Sequence, residues 1–171
     1  MSTRPILIRP MQADDVPAML AVQAQCYPPH MNEPADVLLA RWQACGDTAW
    51  VACDAQGQVA AYLVAYRSVW GKVSPLGQAF AHAAQPEVLY LHDLAIGQAL
   101  RGQGAAQALV AAARQLAQAQ ALQGSTLVSV NGSLAFWQRL GWQVMSLEAA
   151  GQRALATYAD DAVYMGWRPT W

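Results

Sequence analysis

The sequence is poor in charge, in lysine and in cysteine, and each deficit excludes a class of protein. Only 12% of the 171 residues are charged, the formal net charge is −1 and there is a single lysine. The chain therefore lacks the basic excess that nucleic-acid binding requires. The three cysteines are odd in number and show no Cys-x-x-Cys spacing, which argues against a disulfide framework or a zinc site. We expect no nucleic-acid partner, no metal and a reducing, cytoplasmic location.

Long hydrophobic runs are also missing. Although 55% of the residues are apolar and the mean hydropathy is +0.14, no segment approaches the roughly 18 uncharged apolar residues of a membrane span. The first residues lack the apolar centre of a secretion signal. The apolar excess is instead sufficient to bury a core, and the length suits a single domain over residues 1–171. We therefore expect one globular domain with no membrane partner.

Hydrophobic periodicity and turn residues predict an α/β fold. Two-residue alternation predicts strands, and a 3.6-residue spacing predicts helices. The predicted strands cover residues 5–9, 48–53, 59–66, 87–96, 126–130, 142–147 and 163–167. The predicted helices begin near Asp14, at Pro34 as a first helical residue, after Gly104 and at Leu134, and Gly124 is expected to end the third of them. Because strands and helices do not simply alternate, we expect a mixed central sheet with helices on both faces.

A glycine-rich turn joins the fourth predicted strand to the third helix. The segment is Arg101-Gly-Gln-Gly-Ala-Ala106. The first amides of a helix have no acceptor within the helix, and the helix dipole favours negative charge there. Gly102 and Gly104 allow a ligand close to the backbone, and Arg101 adds a positive charge. The turn predicts a phosphate or pyrophosphate site, with a plain glycine turn as the alternative.

The same turn lacks the marks of other common sites. No Gly-Lys-Ser/Thr follows it, so a P-loop would miss its lysine and its magnesium-binding hydroxyl. Gln107 stands where a Rossmann turn has glycine or alanine. The chain also has no Gly-x-Ser-x-Gly segment for a serine hydrolase. These absences leave a phosphate-containing ligand of another kind.

Two segments resemble the GNAT superfamily of N-acetyltransferases. Arg101-x-x-Gly104-x-Ala106 is similar to the family's acyl-CoA pyrophosphate motif. Downstream, Phe136-Trp-Gln-Arg-Leu-Gly-Trp142 is similar to its Phe-Tyr-x-x-x-Gly-Phe segment. Two motifs in register, each on the expected element, make the resemblance specific over about residues 88–142.

The resemblance implies a GNAT-like fold, acetyl-CoA as acyl donor and direct transfer of the acetyl group to a primary amine in a ternary complex. It places the pantetheine arm along the fourth strand and the pyrophosphate at the glycine turn. The cofactor-binding residues implied in this way are Leu94, Ala95, Ile96, Arg101, Gly102, Gln103, Gly104, Ala105, Ala106, Ser133 and Trp137. Ser133 also fits a helix N-cap. Homodimers are common among similar proteins, so dimerisation is an expectation by analogy alone.

His92 is the candidate general base. An alkylammonium with a pKa of ~10.4 is protonated at neutral pH, whereas a free imidazole with a pKa of ~6.5 can accept its proton. Regular alternation would place His92 on one face of its strand with Tyr90 and Leu94. By resemblance, Tyr90 and His92 stand where arylalkylamine N-acetyltransferases have two active-site histidines. The alternative for His92 is a core histidine bonded to a backbone carbonyl.

The sequence indicates the general acid and the acceptor site less clearly than the general base. Trp137 replaces the family's tyrosine near the CoA sulfur, and an indole N–H donates a hydrogen bond but does not deliver a proton. Two alternatives stay open: the thiolate leaves without direct protonation, since a simple thiol has a pKa of ~8.5, or Tyr90 substitutes as the acid. In the loop after the first helix, Glu33 would attract a cationic amine and Tyr27 would wall an apolar or aromatic one, which suggests a small (aryl)alkylamine. Two other classes stay open: a catalytically silent acyl-CoA-binding module and a nucleotide-phosphate binder.

Overall fold

A seven-stranded mixed sheet forms the centre of the protein in a computed structural model that describes residues 5–169. The strands are β1 (Leu7–Pro10), β2 (Ala49–Cys53), β3 (Val59–Ser68), β4 (Val88–Ile96), β5 (Gly124–Ser129), β6 (Gln143–Val144) and β7 (Val163–Trp167). The helices are α1 (Val16–Cys26), α2 (Ala35–Cys45), α3 (Ala105–Ala119), α4 (Leu134–Arg139) and α5 (Ala149–Leu155). The expectation about a secretion signal falls partly on residues 1–4, which lie outside the described residues.

The strand order is β1-β2-β3-β4-β5-β7-β6, and β4 and β5 are the parallel pair. Helices cover both faces. Met19 of α1 and Leu38 of α2 belong to the core cluster on one face, and Leu109 of α3 and Trp137 of α4 belong to the cluster on the other. The predicted mixed α/β fold is therefore confirmed.

Two predicted helix boundaries are wrong. Pro34 is the N-cap of α2 rather than its first helical residue, because its ψ of 163° is extended. Gly124 does not end α3, which stops at Ala119. Gly124 instead opens β5, where a Cβ atom would lie 2.1 Å from the carbonyl oxygen of Trp167. That glycine serves the close approach of two strands, not a helix end.

The segment between the last two strands also differs from the prediction. The strand expected over residues 142–147 is confined to the two residues of β6. Helix α5 follows it and has no counterpart in the sequence prediction. Gly151 is its one buried position, so the helix carries no apolar stripe that periodicity could detect.

The strands β4 and β5 part halfway along β4. They are paired from Val88 opposite Gly124 to Leu91 opposite Leu127. Beyond Leu91, β4 continues alongside β3 to Ile96. The edge of β4 that faces β5 is thus open over its last residues, which creates a cleft in the sheet.

A β-bulge lies at the point where the two strands part. Along β3, Val64 is opposite Asp93 and the next residue, Ala65, is opposite Leu91. His92 is therefore the extra residue of the bulge. A bulge re-aims the side chain it carries and changes the phase of the strand after it.

The bulge overturns the expected distribution of side chains along β4. Leu91 and Leu94 both pack in the cluster under α3, whereas Tyr90 and Ala95 pack in the cluster under α1. The prediction that His92 shares a face with both Tyr90 and Leu94 is wrong, because regular alternation does not continue through the bulge.

Candidate active site

A cleft of about 330 Å³ opens between the parted ends of β4 and β5. The end of α1 and the starts of α3 and α4 complete its walls. The predicted cofactor-binding residues that line it are Leu94, Ala95, Ile96, Ala106, Ser133 and Trp137. Cys26, Val130, Asn131 and Phe136 line it as well, although no role follows for them from the sequence.

The glycine turn leads into one end of this cleft. Gly102 and Gly104 have φ values of 70° and 84°, and no heavy atom lies within 4 Å of a Cβ built on either residue. Gly104 is the N-cap of α3 and no side chain caps the helix, so the first amides are free to bind an anion. The exposed Arg101 donates to the carbonyl oxygen of Gln25 at 3.4 Å. Free amides, open space and a cation fit a pyrophosphate.

Two members of the turn have other contacts. Gln103 is exposed, and its side-chain amide donates to the carbonyl oxygen of Ala99 at 2.7 Å. Ala105 is buried in the core cluster under α3. Its side chain therefore faces the core, so the backbone is what this residue offers to a ligand.

The end of α1 is fixed against the last residues of β4. The Tyr27 hydroxyl lies 3.4 Å from the carbonyl oxygen of Leu94, and the Cys26 thiol donates to the carbonyl oxygen of Ile96 at 3.3 Å. These contacts hold one wall of the cleft in place beside the open edge.

Ser133 and Trp137 form the opposite wall. Ser133 occupies the N-cap position of α4, but its hydroxyl makes no cap and donates instead to the carbonyl oxygen of Val130 at 2.7 Å. Trp137 is buried and packs edge-on against Trp142 at 5.3 Å between ring centroids. This wall therefore combines the polar Ser133 with the buried apolar ring of Trp137.

A second cavity, of about 50 Å³, adjoins the cleft. The two spaces share five lining residues, which are Tyr27, His92, Asp93, Val128 and Val130. The side chains that line only the smaller cavity include Gln23, Met31, Glu33, Leu76 and Tyr158. Both predicted substrate residues, Tyr27 and Glu33, are thus brought to the same small, acid-lined space beside His92.

His92 is buried at this junction, with 3% of its side chain exposed. Its Nε2 atom lies 3.8 Å from Oε1 of Glu33, which is beyond a hydrogen bond but close enough for a strong electrostatic contact. Phe80 packs edge-on against the imidazole at 4.8 Å. Nδ1 has no hydrogen-bond partner within residues 5–169. A neutral ring that points Nε2–H at the carboxylate leaves Nδ1 as an acceptor.

Glu33 is held as a carboxylate by Arg41. Nη1 of Arg41 donates to Oε1 of Glu33 at 2.5 Å, and both side chains are largely buried. Burial alone would raise the pKa of Glu33, but the proximity of His92 and of the Arg41 guanidinium lowers this pKa to about 2. Oε2 of Glu33 is buried and has no partner in the described part of the chain. Glu33 therefore presents a second free acceptor next to His92.

Asp93 has a structural role beside the same junction. Its carboxylate accepts hydrogen bonds from the hydroxyls of Tyr27 at 2.6 Å and Tyr62 at 2.7 Å. Burial, reinforced by the Asp93 charge, raises the pKa of both tyrosines, so both keep their protons. Asp93 thereby ties the end of α1 to β3 and β4.

Tyr90, the other predicted catalytic residue, is 1% exposed and lines neither of these two cavities. Its ring lies 6.4 Å from that of His92, and burial raises its pKa well above the usual value. Tyr158 lines the smaller cavity, as Tyr27 does, and its hydroxyl donates to the carbonyl oxygen of Ser74 at 2.5 Å. No local sequence signal marks Tyr158, because long-range packing brings it there.

Two classes of feature are absent from the described residues. Within residues 5–169 no group of three or more His, Cys, Asp and Glu side chains is arranged to hold a metal ion. In the same range no helix combines the length and apolar character that crossing a membrane demands.

The sequence matches the model of the acetyltransferase (GNAT) family over residues 16–142. Because the match covers more than half of the chain, this protein belongs to the GNAT acetyltransferase family. A search of curated protein sequences gives no match.

Several solved structures are similar in fold. The GNAT-like decarboxylase GphF in complex with isobutyryl-CoA has 17% identity and a TM-score of 0.80, over 95% of this chain and 98% of that one. Ard1 from Thermoplasma volcanium has 15% identity and a TM-score of 0.71, over 97% and 99%. The ribosomal-protein-S18-alanine N-acetyltransferase from Escherichia coli has 12% identity and a TM-score of 0.69, over 98% and 96%. At such identities the likeness concerns the fold alone.

Acetyl-CoA fits this site as the cosubstrate. The open edge of β4 offers backbone groups that can pair with the amides of a pantetheine arm, as an added strand would. The turn from Gly102 to Ala106 offers free amides for the pyrophosphate. Similar structures contain isobutyryl-CoA or CoA.

Proposed function

We propose that the protein transfers an acetyl group from acetyl-CoA to a small primary alkyl- or arylalkylamine, by direct attack in a ternary complex. The observation that carries this proposal is the pair of unpartnered buried acceptors, Nδ1 of His92 and Oε2 of Glu33, on residues that line one small cavity. An ammonium group has three N–H donors. Leaving a buried acceptor unsatisfied costs about 1–3 kcal/mol, so a primary ammonium is the group that would relieve both.

His92 is assigned as the general base. Its Nδ1 accepts the proton that the ammonium must lose before the nitrogen can act as a nucleophile. The Glu33 carboxylate, 3.8 Å from Nε2, stabilises the resulting imidazolium. Acetyl-CoA, when bound, supplies the acetyl group as an activated thioester.

The residues on the cofactor side bind and orient. We assign the backbone of Leu94, Ala95 and Ile96 to the pantetheine arm, and residues 101–106 to the pyrophosphate. Ser133 and Trp137 would contact the acyl end. Trp137 cannot supply a proton and Tyr90 lies away from both cavities, which favours departure of the thiolate without a protein acid.

The carboxylates that line the smaller cavity favour one kind of reaction over another. GphF is described as a GNAT-like decarboxylase, and such an enzyme must bind a carboxylated acyl group. Here the carboxylates of Glu33 and Asp93 line the smaller cavity, and they would repel a third carboxylate. The same charges attract an ammonium, so they support amine acetylation.

A catalytically silent acyl-CoA-binding module is the second candidate, because a tryptophan stands at position 137 where the family has its tyrosine. Thiol release from acetyl-CoA, measured with a panel of primary amines and peptide N-termini, separates the two. If the protein binds CoA but releases no thiol with any of these acceptors, the result would support the silent module. Calorimetry with CoA, ATP and NAD tests the phosphate-binding turn independently.

Replacing His92 by alanine tests the base. We expect the acetylation rate at neutral pH to fall by ~10²–10⁴ and the acidic limb of the rate profile to disappear. CoA affinity should hardly change, because backbone groups carry that binding. His92→Gln, which keeps a polar side chain but no base, is the matched variant and should lose as much. Full rate with an unchanged acidic limb in either variant would show that His92 is not the base.

A further inference from the structure

Arg41 lies behind the candidate active site rather than in it. It is a buried residue of α2, with 4% of its side chain exposed, and it lines neither the cleft nor the smaller cavity. Any effect of Arg41 on chemistry must therefore pass through other residues. A buried arginine is uncommon unless its charge has a partner, and the contacts below identify several.

The guanidinium joins the two chain segments that flank His92. Nη1 donates to Oε1 of Glu33 at 2.5 Å, in the segment between α1 and α2. Nε and Nη2 donate to the carbonyl oxygen of Gln78 at 3.2 and 3.0 Å, in the segment between β3 and β4. The guanidinium carbon also lies 4.4 Å from the ring centroid of Phe80. Glu33 and Phe80 are the neighbours that contact His92, at 3.8 and 4.8 Å.

We propose that Arg41 is a positioning residue, which balances the charge of Glu33 and packs on Phe80 beside His92, and so controls when the imidazole is protonated. This inference rests on the proposed function, because it assigns Arg41 a task in the chemistry of His92. A guanidinium presents donors on two edges in a fixed planar fork, so it can hold a carboxylate and a carbonyl at once. A lysine ammonium keeps the charge but not this geometry.

The remaining titratable groups around His92 are engaged elsewhere. They are Asp93, Tyr27, Tyr90 and Tyr158. Asp93 accepts hydrogen bonds from two tyrosine hydroxyls. Burial raises the pKa of each tyrosine, so all stay neutral near pH 7. The charged group that faces Nε2 of His92 is therefore Glu33, which is paired with Arg41.

Removing Arg41 should make His92 easier to protonate. In Arg41→Met the two hydrogen bonds between the Glu33 backbone and the Gln23 side chain remain, so the Glu33 carboxylate would stay beside Nε2 without the Arg41 charge. An uncompensated opposite charge at such a distance favours the charged form of a titrating group by about one pH unit or more. The His92 titration midpoint and the acidic limb of the rate profile should both move upward. In the double variant Arg41→Met/Glu33→Gln the upward shift should vanish, since no carboxylate is left to cause it.

The experiment follows the His92 ring signals by NMR during a pH titration and measures kcat and CoA affinity for the same variants. Arg41→Met should show the upward shift and at least a tenfold lower kcat, with CoA affinity unchanged. Arg41→Lys should lower kcat while its titration midpoint stays near that of the wild type. If Arg41→Met fails to fold, a wild-type kcat in Arg41→Lys would still overturn the proposal.

Arg67→Met is the matched control. Arg67 pairs with Asp47 at 2.5 Å and contacts His82 in the same segment between β3 and β4, but it does not contact Glu33 or Phe80. It should leave the His92 midpoint and kcat unchanged. A folded Arg41→Met with a wild-type midpoint and kcat, or an equal effect of Arg67→Met, would overturn the proposal. The NMR measurement needs no turnover, so an inactive wild type would refute the proposed function while this arm still tests Arg41.

Discussion

Replacing Gly104 by valine separates the cost of backbone strain from the loss of CoA binding. Gly104 has a φ of 84°, and a Cβ at this position would meet no heavy atom within 4 Å. Because a Cβ there would clash with no neighbour, the cost to folding is that of a left-handed backbone, about 1–2 kcal/mol. The branched side chain of valine would, however, occupy the space in front of the first amides of α3.

The expected loss of affinity follows from the contacts that the valine displaces. A hydrogen bond to a charged group contributes about 1.5–3 kcal/mol. Loss of one such bond between an amide and a phosphate should raise the Kd for CoA roughly 10- to 100-fold. Calorimetry with CoA measures this change, and urea denaturation measures the free energy of unfolding of the same variant.

Gly57 offers a control with the same backbone strain. It has a φ of 80°, and a Cβ there would also meet nothing within 4 Å, but it lies in the turn between β2 and β3. Gly57→Val should lose a similar free energy of unfolding and keep the wild-type affinity for CoA. A folded Gly104→Val variant with wild-type affinity, or an equal loss in Gly57→Val, would refute a pyrophosphate site at this turn.

Two further predictions concern charge. Arg101→Ala should weaken CoA binding by about 1.5–3 kcal/mol, and by more at low salt than at high salt because exposed charges are screened; a loss that does not vary in a salt series would contradict a charge contact. The pKa of Glu33 is lowered from 4.5 to about 2, so its stabilisation is complete above pH 4.5 and is lost as the pH falls toward 2. This difference corresponds to about 3 kcal/mol. Urea denaturation at several pH values between 2 and 4.5 should show that the free energy of unfolding depends less on pH in Glu33→Gln than in the wild type. An equal dependence in the two proteins would argue against the ion pair.

The helices and strands could be predicted from the sequence because local patterns specify them. The end of α4 is an example: the glycine that follows the helix, Gly141, has a φ of 95°. Its N–H donates to the carbonyl oxygen of Gln138, and the next N–H, of Trp142, donates to that of Trp137. This Schellman motif needs a glycine at one fixed position. The glycine turn before α3 was predictable for the same reason.

The interior of the candidate site could not be predicted in this way. The bulge at His92 depends on how β4 pairs with β3, so alternation within β4 alone assigns Leu94 to the wrong face. The contacts of Arg41 with Gln78 and of His92 with Glu33 likewise join segments that are distant in the sequence. Periodicity places Arg41 on a helix, but nothing local indicates that its charge is buried beside a carboxylate.

The bulge at His92 brings two consecutive side chains, His92 and Asp93, to the same small cavity. Leu91 lies opposite Ala65, and Asp93 lies opposite the adjacent residue of β3, Val64. The pairing on the two sides of His92 is therefore that of an uninterrupted ladder. Deleting His92 would restore regular alternation and leave every residue from Asp93 to Ile96 on its present face. The bulge is thus an insertion that adds one buried imidazole to the strand without disturbing the register around it.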